Sequence, residues 1–417
     1  MNADARHARG LRGLVIAATA VSVAVFVALH WARQQGGQPI FLFPDYLVFW
    51  SSGPALRSGG LATLFHVESF TALQNTLFAD ILTRRIHARP WLYPPTFLLV
   101  SSTFALLPYL ASALCFQLGG LLALVAAMGR KVWPLTLLVL SPAFGSSFDA
   151  GQISAWLTAC VIGGLLLLDT APVAAGLLFA VMSFKPHLFV LVPVALMAAR
   201  AWRALAACLL GTLGLVVASV AVFGVASWQL WLSATTGPSQ LVSSGTDMLS
   251  IYGVQMGSVL SSVRMLGASN AVAWSAQALS ALVATGSVWW VFTRSTNTAR
   301  RALTLTCATL LTTPYWMNYD LLAPSAAVVL AVSGVLSHAR RTALRDGEAL
   351  AWLTLWLLPY GMLMVHALWH VQVAPVVVFA VLLLATLRGD PPPAADADLS
   401  APASSATPHA TSVASRT

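Results

Sequence analysis

Residues 109–128 form the run YLASALCFQLGGLLALVAAM, in which no residue carries a charge. A helix of about 20 apolar residues matches the thickness of the hydrocarbon core of a bilayer. The run is followed closely by Arg130 and Lys131, and basic residues at the end of an apolar run are typical of a cytoplasmic loop. This stretch therefore predicts a membrane-spanning helix whose C-terminal end lies in the cytoplasm.

The composition extends this interpretation to the whole chain. Of the 417 residues, 58% are hydrophobic and 8% are charged, whereas a soluble domain carries about 25% charged residues. So few charges cannot cover a water-facing surface, which excludes a soluble enzyme and a disordered, collagen-like or coiled-coil chain. The net charge of +9 does not indicate nucleic-acid binding, because the basic residues stand singly or in pairs at the ends of apolar runs. The 4 cysteines lie in apolar runs without a CxxC pair, so neither a disulfide framework nor a metal knuckle is indicated.

The pattern of apolar runs and basic ends predicts an all-α, polytopic bundle of about 12 transmembrane helices. The first run follows Arg6, Arg9 and Arg12, is longer than the core of a signal peptide and lacks a following A-x-A-like site, so we interpret it as a membrane helix. Segment 96–107 is short and is predicted to be re-entrant or a short helix within the bundle. The predicted spans are 13–30, 109–128, 133–145, 153–168, 173–184, 188–199, 204–224, 270–292, 302–313, 321–337, 349–366 and 371–387.

These spans define one transmembrane domain, 13–388, between a cytoplasmic N-terminus, 1–12, and a Pro/Ala/Ser-rich cytoplasmic tail, 389–417, that is predicted to be disordered. A long outer loop, 31–95, follows the first span, and its residues 62–82 are predicted to form one or two amphipathic helices on the membrane surface. Another long outer loop, 225–268, comes later in the chain and is rich in Ser, Gly and Trp.

Polar residues collect on the outer side of this topology. A charged residue at the membrane edge is costly and therefore a candidate for function. Asp45 lies in the first outer loop, Asp149 in the predicted loop 145–152, Lys185 and His187 in the 185–187 turn, and Asp320 in the 314–320 turn. We expect these residues to converge on one outward-facing pocket.

Asp45 lies in the apolar and aromatic stretch FLFPDYLVFW. A carboxylate in such surroundings loses solvation, which strengthens it as a base. The alternative is a structural role as the N-cap of a helix that begins at Tyr46. Both interpretations stay open on the residues alone.

Lys185 and His187 flank Pro186 in SFKPHLF. Because proline breaks the helix, backbone groups and two polar side chains face the same place, and lysine binds phosphate as a point charge. The alternative is a lysine that extends from a helix end toward the membrane surface.

Shorter polar turns supply further candidates for substrate binding. Gln152 follows Asp149 in SFDAGQ, Tyr319 precedes Asp320 in MNYD, and Tyr93 lies in WLYPPTF. Such turns are commonly solvated caps, and Tyr93 also fits an interfacial aromatic anchor. No P-loop, GxGxxG, HExxH or GxSxG motif occurs in a suitable context. If the chain is a transferase, its donor is expected to carry a lipid anchor, because no predicted cytoplasmic segment is large enough to bind a nucleotide sugar.

In order and spacing, five stretches resemble glycosyltransferase family 87, a group of bacterial membrane enzymes of the GT-C superfamily. The resemblance covers about residues 40–330 and rests on PDYLVFW, YPPTFLLVSSTFALLPYLA, GQISAWLTACVIGGLLLL, AGLLFAVMSFKPHLFVLVPVALMAARAWRAL and TPYWMNYDLLAP. It implies a GT-C fold with a catalytic aspartate in the first outer loop, which maps to Asp45. The chain departs from the family in having Asp45-Tyr46 in place of an Asp-Phe step and Leu64-Phe65 in place of Leu-Tyr.

The resemblance also implies the substrates. The donor is a polyprenyl-phosphate sugar, commonly mannose, and the acceptor is a lipid or a lipid-linked glycan. The donor phosphate is expected near Lys185 and His187, on the outer face of a bacterial inner membrane. Other GT-C families bind a divalent metal through an acidic residue of the second outer loop, where Asp149 lies, but family 87 offers no metal motif to match, so a metal stays open.

The expected reaction is inverting transfer, in which Asp45 takes the proton of the acceptor hydroxyl and polyprenyl phosphate leaves. Three alternatives remain: a transporter or flippase of lipid-linked sugars, an O-antigen ligase or polymerase, and a structural assembly protein. The ligases and polymerases carry their large functional loop late in the chain, whereas here the long loop comes first. The two halves of the chain show no duplication, which argues against a transporter with inverted repeats.

Overall fold

The computed structural model describes residues 43–389 apart from 83–84, 87–88, 130–131, 245–252 and 338–346, and six positions between 13 and 24. For 132, 236–244 and 335–337 only the backbone is described. The predicted N-terminal segment 1–12, the first span 13–30 and the tail 389–417 therefore lie wholly or largely outside the described residues.

Helices account for the regular structure of this part of the chain, in which no strand occurs. The helices before residue 130 are α1 Tyr46–Ser58, α2 Gly60–Phe65, α3 Val67–Leu77, α4 Pro95–Phe104 and α5 Tyr109–Met128. The central helices are α6 Val132–Val139, α7 Pro142–Ala150, α8 Ser154–Leu167, α9 Pro172–Val181, α10 Pro186–Phe189, α11 Val192–Ala198, α12 Trp202–Phe223 and α13 Val225–Ser244. The last helices are α14 Val259–Met265, α15 Asn270–Arg294, α16 Thr298–Thr312, α17 Leu322–Ser337, α18 Glu348–Trp369 and α19 Ala374–Leu387. Short 3-10 turns occupy Met182–Phe184, Gly253–Gln255 and Asn318–Leu321.

Four of the described helices, α5, α12, α15 and α18, are long and apolar enough to cross a membrane. They coincide closely with the predicted spans 109–128, 204–224, 270–292 and 349–366. Shorter apolar helices occupy the predicted spans 153–168, 173–184, 188–199 and 371–387, and α4 is the short helix predicted within 96–107. The chain is thus an all-helical membrane protein in its described part, with four helices of full membrane length.

Proline and serine divide one predicted span into two helices. The prediction of a single helix over 133–145 is wrong, because α6 ends at Val139 and α7 begins at Pro142. The hydroxyl of Ser141 accepts a hydrogen bond from the backbone N–H of Phe144 and so caps α7. Proline suits the first turn of α7 because it has no N–H to leave unbonded there. The predicted loop 145–152 is consequently helical as far as Ala150.

The predicted outer loop 225–268 also contains helical structure. Gly224 has a φ of 77° and ends α12, and α13 begins at the next residue. A glycine reaches this left-handed conformation without the steric cost that a side chain imposes. Because this stretch is rich in Ser and Trp, the pattern of apolar residues did not predict the helix.

The first outer segment folds back onto the membrane helices. Tyr46 and Phe49 of α1 are buried, and the Tyr46 hydroxyl hydrogen-bonds the Ser112 hydroxyl of α5 at 2.7 Å. The Phe49 ring packs edge-on against the rings of Tyr93 and Phe97, each at a centroid distance of 5.0 Å. Helix α3 lies within the predicted amphipathic region 62–82, and α2 begins two residues before that region and ends inside it. This packing carries the residue before α1, Asp45, to the edge of the bundle core.

Candidate functional site

Segments distant in the sequence enclose a cavity of about 130 Å³ next to α1. Its walls come from residues 45, 48–49, 89–90, 92–93, 152, 184–187, 255, 315, 317 and 319. Six of the eight predicted site residues line it, namely Asp45, Tyr93, Gln152, Lys185, His187 and Tyr319. The expected convergence of the first outer loop, the 145–152 segment, the 185–187 turn and the 314–320 turn is therefore present in the structure.

Asp45 occupies the N-cap position of α1 but does not use its side chain as a cap. Its backbone N–H donates to the carbonyl of Ala150 at 2.8 Å, which ties α1 to the end of α7. Its Oδ2 accepts a hydrogen bond from Nε2 of Gln152 at 2.8 Å. The carboxylate is one third exposed and faces the cavity, where it can accept a proton.

Arg89 is a wall residue that the sequence pattern did not single out. Its Nη1 lies 3.4 Å from Oδ1 of Asp45 and also donates to the carbonyl of Pro44. Its backbone is fixed by α3, since Gln74 donates to the Arg89 carbonyl at 3.1 Å and Thr71 accepts from the Arg89 N–H at 3.3 Å. The first outer loop contains several arginines, and nothing in the local sequence distinguishes the one that contacts Asp45.

Gln152 connects Asp45 to Tyr93. Because a carboxylate only accepts, the amide nitrogen of Gln152 faces Asp45, and its oxygen accepts from the Tyr93 hydroxyl at 3.2 Å. Burial, with the nearby Asp320 and Asp45 carboxylates, raises the pKa of Tyr93 well above its ordinary value. The phenol therefore stays protonated and donates, so that Tyr93 and Gln152 together fix the direction of Asp45.

Lys185 and Asp320 form an ion pair on the opposite side. Lys185 Nζ lies 2.8 Å from Oδ1 of Asp320, and the two side chains are 5% and 2% exposed. The backbone N–H of Met317 donates to the other carboxylate oxygen at 3.0 Å. The Lys185 ammonium also lies 5.0 Å from the centre of the Tyr319 ring, within cation–π range. Asp320 thus neutralises Lys185 from behind the cavity wall.

His187 lies beside this pair. Its carbonyl accepts from the Thr313 hydroxyl at 2.9 Å, and its ring meets the Tyr315 ring edge-on at 6.1 Å. Its Nε2 is buried and has no hydrogen-bond partner within the described part of the chain. A buried nitrogen without a partner is uncommon in proteins and marks a position that a ligand can satisfy.

Asp149 lies in α7 and is not among the residues that line the cavity. In the ranges that the structure describes, no group of three or more His, Cys, Asp or Glu side chains is placed to hold a metal ion. The cavity itself presents the carboxylate of Asp45, which Arg89 already contacts. These residues do not form the oxygen-rich set that a divalent cation prefers, and we assign no metal ligand among them.

The family model of glycosyltransferase family 87 matches residues 91–314, more than half of the chain. Tyr93, Gln152, Lys185 and His187 lie inside the matched region, while Asp45 and Arg89 precede it and Tyr319 and Asp320 follow it. No curated protein and no solved structure matches the chain.

Proposed function

Because the chain belongs to glycosyltransferase family 87, we propose that it transfers a hexose, mannose in the first place, from a polyprenyl-phosphate donor to a lipid or glycan acceptor. The observation that carries this proposal is the cavity in which a carboxylate, Asp45, and two cations, Arg89 and Lys185, face the same space. A base and a positively charged wall are the two groups that sugar transfer from a phosphate requires.

In the proposed reaction Asp45 takes the proton of the acceptor hydroxyl as the hydroxyl oxygen bonds to the anomeric carbon. The bond between that carbon and the phosphate oxygen breaks on the opposite face, and its electron pair leaves with polyprenyl phosphate. The configuration at the anomeric carbon is therefore inverted. No general acid is needed, because polyprenyl phosphate is a good leaving group once its charge is balanced.

The remaining wall residues are proposed to bind the substrates. Lys185 and His187 were predicted from the sequence as ligands of the donor phosphate, and Arg89 adds a second cation to the same cavity. The Tyr93 and Tyr319 rings, with Gln152, border the space for the sugar. Asp320 acts through Lys185, whose position it fixes.

We place the enzyme in a bacterial inner membrane as a GT-C bundle of about 12 spans, with the cavity open to the periplasmic or extracellular side. The basic residues at the ends of apolar runs, Arg130, Lys131 and Arg294 among them, support a cytoplasmic position for those ends. With them inside, Asp45 and Lys185 lie on the other face.

The test is transfer from labelled polyprenyl-phosphate mannose in membranes that contain the full chain. Asp45→Asn is expected to abolish labelling of the acceptor lipid and release of free polyprenyl phosphate, while the protein still inserts. Glu68→Gln is the matched control, since Glu68 is an exposed carboxylate of the same outer segment. Retained transfer in Asp45→Asn would remove this residue from the mechanism. Movement of the intact donor across the membrane without release of polyprenyl phosphate would favour a transporter.

A further inference from the structure

We infer that Arg89 is the principal ligand of the donor phosphate and that it exchanges Asp45 for this phosphate, so that donor binding frees the base. The inference rests on the proposed function and deepens it. It assigns a phosphate subsite to a residue outside the family-matched region and gives the Arg89–Asp45 contact a role in the reaction.

The two cations of the cavity differ in how firmly they are already bound. Lys185 is 5% exposed and pairs at 2.8 Å with Asp320, which is 2% exposed and accepts a further backbone hydrogen bond. Separating such a pair leaves a buried charge without a partner, which is strongly unfavourable. Lys185 is therefore held in its pair with Asp320, and its charge is balanced before any ligand arrives.

The protein holds the Arg89 side chain far less firmly than that of Lys185. Its side chain is 27% exposed, its partner Asp45 is 33% exposed, and the closest atoms are 3.4 Å apart. An ion pair that water reaches contributes little to stability. Both hydrogen bonds that the guanidinium makes to described residues use Nη1, so Nε and Nη2 are available to a ligand in the same cavity.

The chemistry of the two groups favours a phosphate on Arg89. A guanidinium presents parallel N–H donors that match two phosphate oxygens, whereas an ammonium acts as a point charge. A phosphate diester between a sugar and a polyprenol carries one full negative charge, which the Arg89 guanidinium can balance. Arg89 is expected to turn from Oδ1 of Asp45 to this phosphate while Gln152 keeps its hydrogen bond to Oδ2.

This exchange couples binding to catalysis. While Arg89 contacts Asp45, its guanidinium lies against Oδ1, the carboxylate oxygen that Gln152 leaves open. Once the phosphate takes Arg89, Asp45 keeps the Gln152 contact at Oδ2 and presents Oδ1 to the acceptor hydroxyl. After transfer, the released polyprenyl phosphate holds Arg89 until it leaves the cavity.

The test measures binding of polyprenyl phosphate, the reaction product, to the purified full chain by tryptophan fluorescence. Arg89→Gln is expected to weaken binding by about tenfold or more, the value of a charge-assisted hydrogen bond. Arg203→Gln is the matched control, because Arg203 is exposed and does not line the cavity. Unchanged binding in Arg89→Gln would overturn the inference and leave Lys185 as the phosphate ligand.

A second variant separates the exchange from simple repulsion. Asp45→Asn is expected to bind polyprenyl phosphate about two- to fivefold more tightly than the wild type, since the competing partner of Arg89 is gone. In the double variant with Arg89→Gln this gain should disappear. A gain that persists there would mean that Asp45 repels the phosphate directly, which would overturn the exchange.

Folding and function are controlled separately. If Arg89→Gln does not yield a monodisperse protein, Arg89→Lys serves in its place, because lysine keeps the positive charge but lacks the parallel N–H donors of the guanidinium. This variant is expected to weaken binding by a smaller factor. If Arg89→Lys binds polyprenyl phosphate as tightly as the wild type, and binding still tightens when Asp45→Asn is added, the paired N–H donors of the guanidinium have no role in recognition.

Inorganic phosphate as a second probe distinguishes recognition of the phosphate alone from recognition of its lipid ester. A wild-type chain that binds neither probe would overturn the proposed function together with this inference.

Discussion

At the scale of single residues, the role of each polar side chain in the cavity depends on the residue with which it pairs. The sequence was sufficient to single out Asp45, Lys185 and Asp320 as membrane-edge charges. It could not reveal that Lys185 pairs with Asp320, 135 positions away, or that Arg89 meets Asp45. Pairing depends on how helices pack, and no local pattern encodes it.

Removing the Gln152 amide tests the orientation of Asp45. Gln152→Leu is expected to lower kcat by about tenfold with a smaller change in KM, because Asp45 loses a 2.8 Å hydrogen bond that directs it toward the acceptor. Tyr93→Phe removes only the hydroxyl at the other end of the amide and should have a smaller effect of the same kind. Steady-state transfer kinetics measure both, and an unchanged kcat in Gln152→Leu would contradict this role.

The ion pair of Lys185 and Asp320 is expected to dominate stability around the cavity. Lys185→Met alone should lower the free energy of unfolding by about 3–5 kcal/mol, because the buried Asp320 carboxylate loses its cationic partner. Adding Asp320→Asn should restore most of that loss, since an uncharged amide is far cheaper to bury. Thermal unfolding in detergent measures the series. A double variant as unstable as the single one would show that the charge imbalance is not the cause.

At the scale of helices, apolar length and proline position predicted most elements, and the failures occurred where capping residues interrupt an apolar run. The sequence indicated α5, α12, α15 and α18 because each is a long apolar segment with polar or basic ends. It did not indicate the break at Ser141-Pro142 or the helix α13, because a serine cap and a left-handed glycine act through backbone geometry rather than through hydropathy.

Gly151 ends α7 and sets the position of Gln152. It has a φ of 77°, and an added Cβ would lie 2.6 Å from the Cβ of Tyr46 and 2.8 Å from that of Phe43. Gly151→Ala is therefore expected to destabilise the protein by about 1–3 kcal/mol and to reduce transfer, because the backbone must move away from α1.

Gly286→Ala is the matched control for this substitution. Gly286 lies within α15, and an added Cβ there has no neighbour within 4 Å. Alanine is favoured over glycine in a helix by about 1 kcal/mol, so this variant should be neutral or more stable. Equal melting temperatures for the two variants would contradict the role of Gly151.

At the scale of the whole molecule, the arrangement of segments was more predictable than the number of crossings. The charge pattern placed the first outer segment, the 185–187 turn and the 314–320 turn on one side, and the structure brings them to one cavity. The number of spans depends on how several short helices sit in the bilayer, and neither hydropathy nor helix length decides that for helices of 7 to 14 residues such as α11 and α8.

Single cysteines test the proposed orientation. In a Cys115→Ala background, which removes the exposed native thiol, Asp80→Cys is expected to react with a membrane-impermeant maleimide added to intact spheroplasts. Arg203→Cys should react only after the membrane is opened. Both positions are exposed in the structure, so access to the reagent decides the result. Labelling of both from the same side would refute the proposed topology.

The separation of Lys185 from Asp320 in the sequence has a consequence for biosynthesis. A ribosome adds about 5–20 residues per second, so roughly 7–27 seconds pass between the emergence of Lys185 from the exit tunnel and that of Asp320, 135 residues later. During that interval Lys185 has no carboxylate partner, so the segment from α9 to α11 is expected to stay at the translocon or to keep the ammonium among the lipid headgroups. Final docking of this segment thus becomes a late, post-insertion step that awaits the last third of the polypeptide.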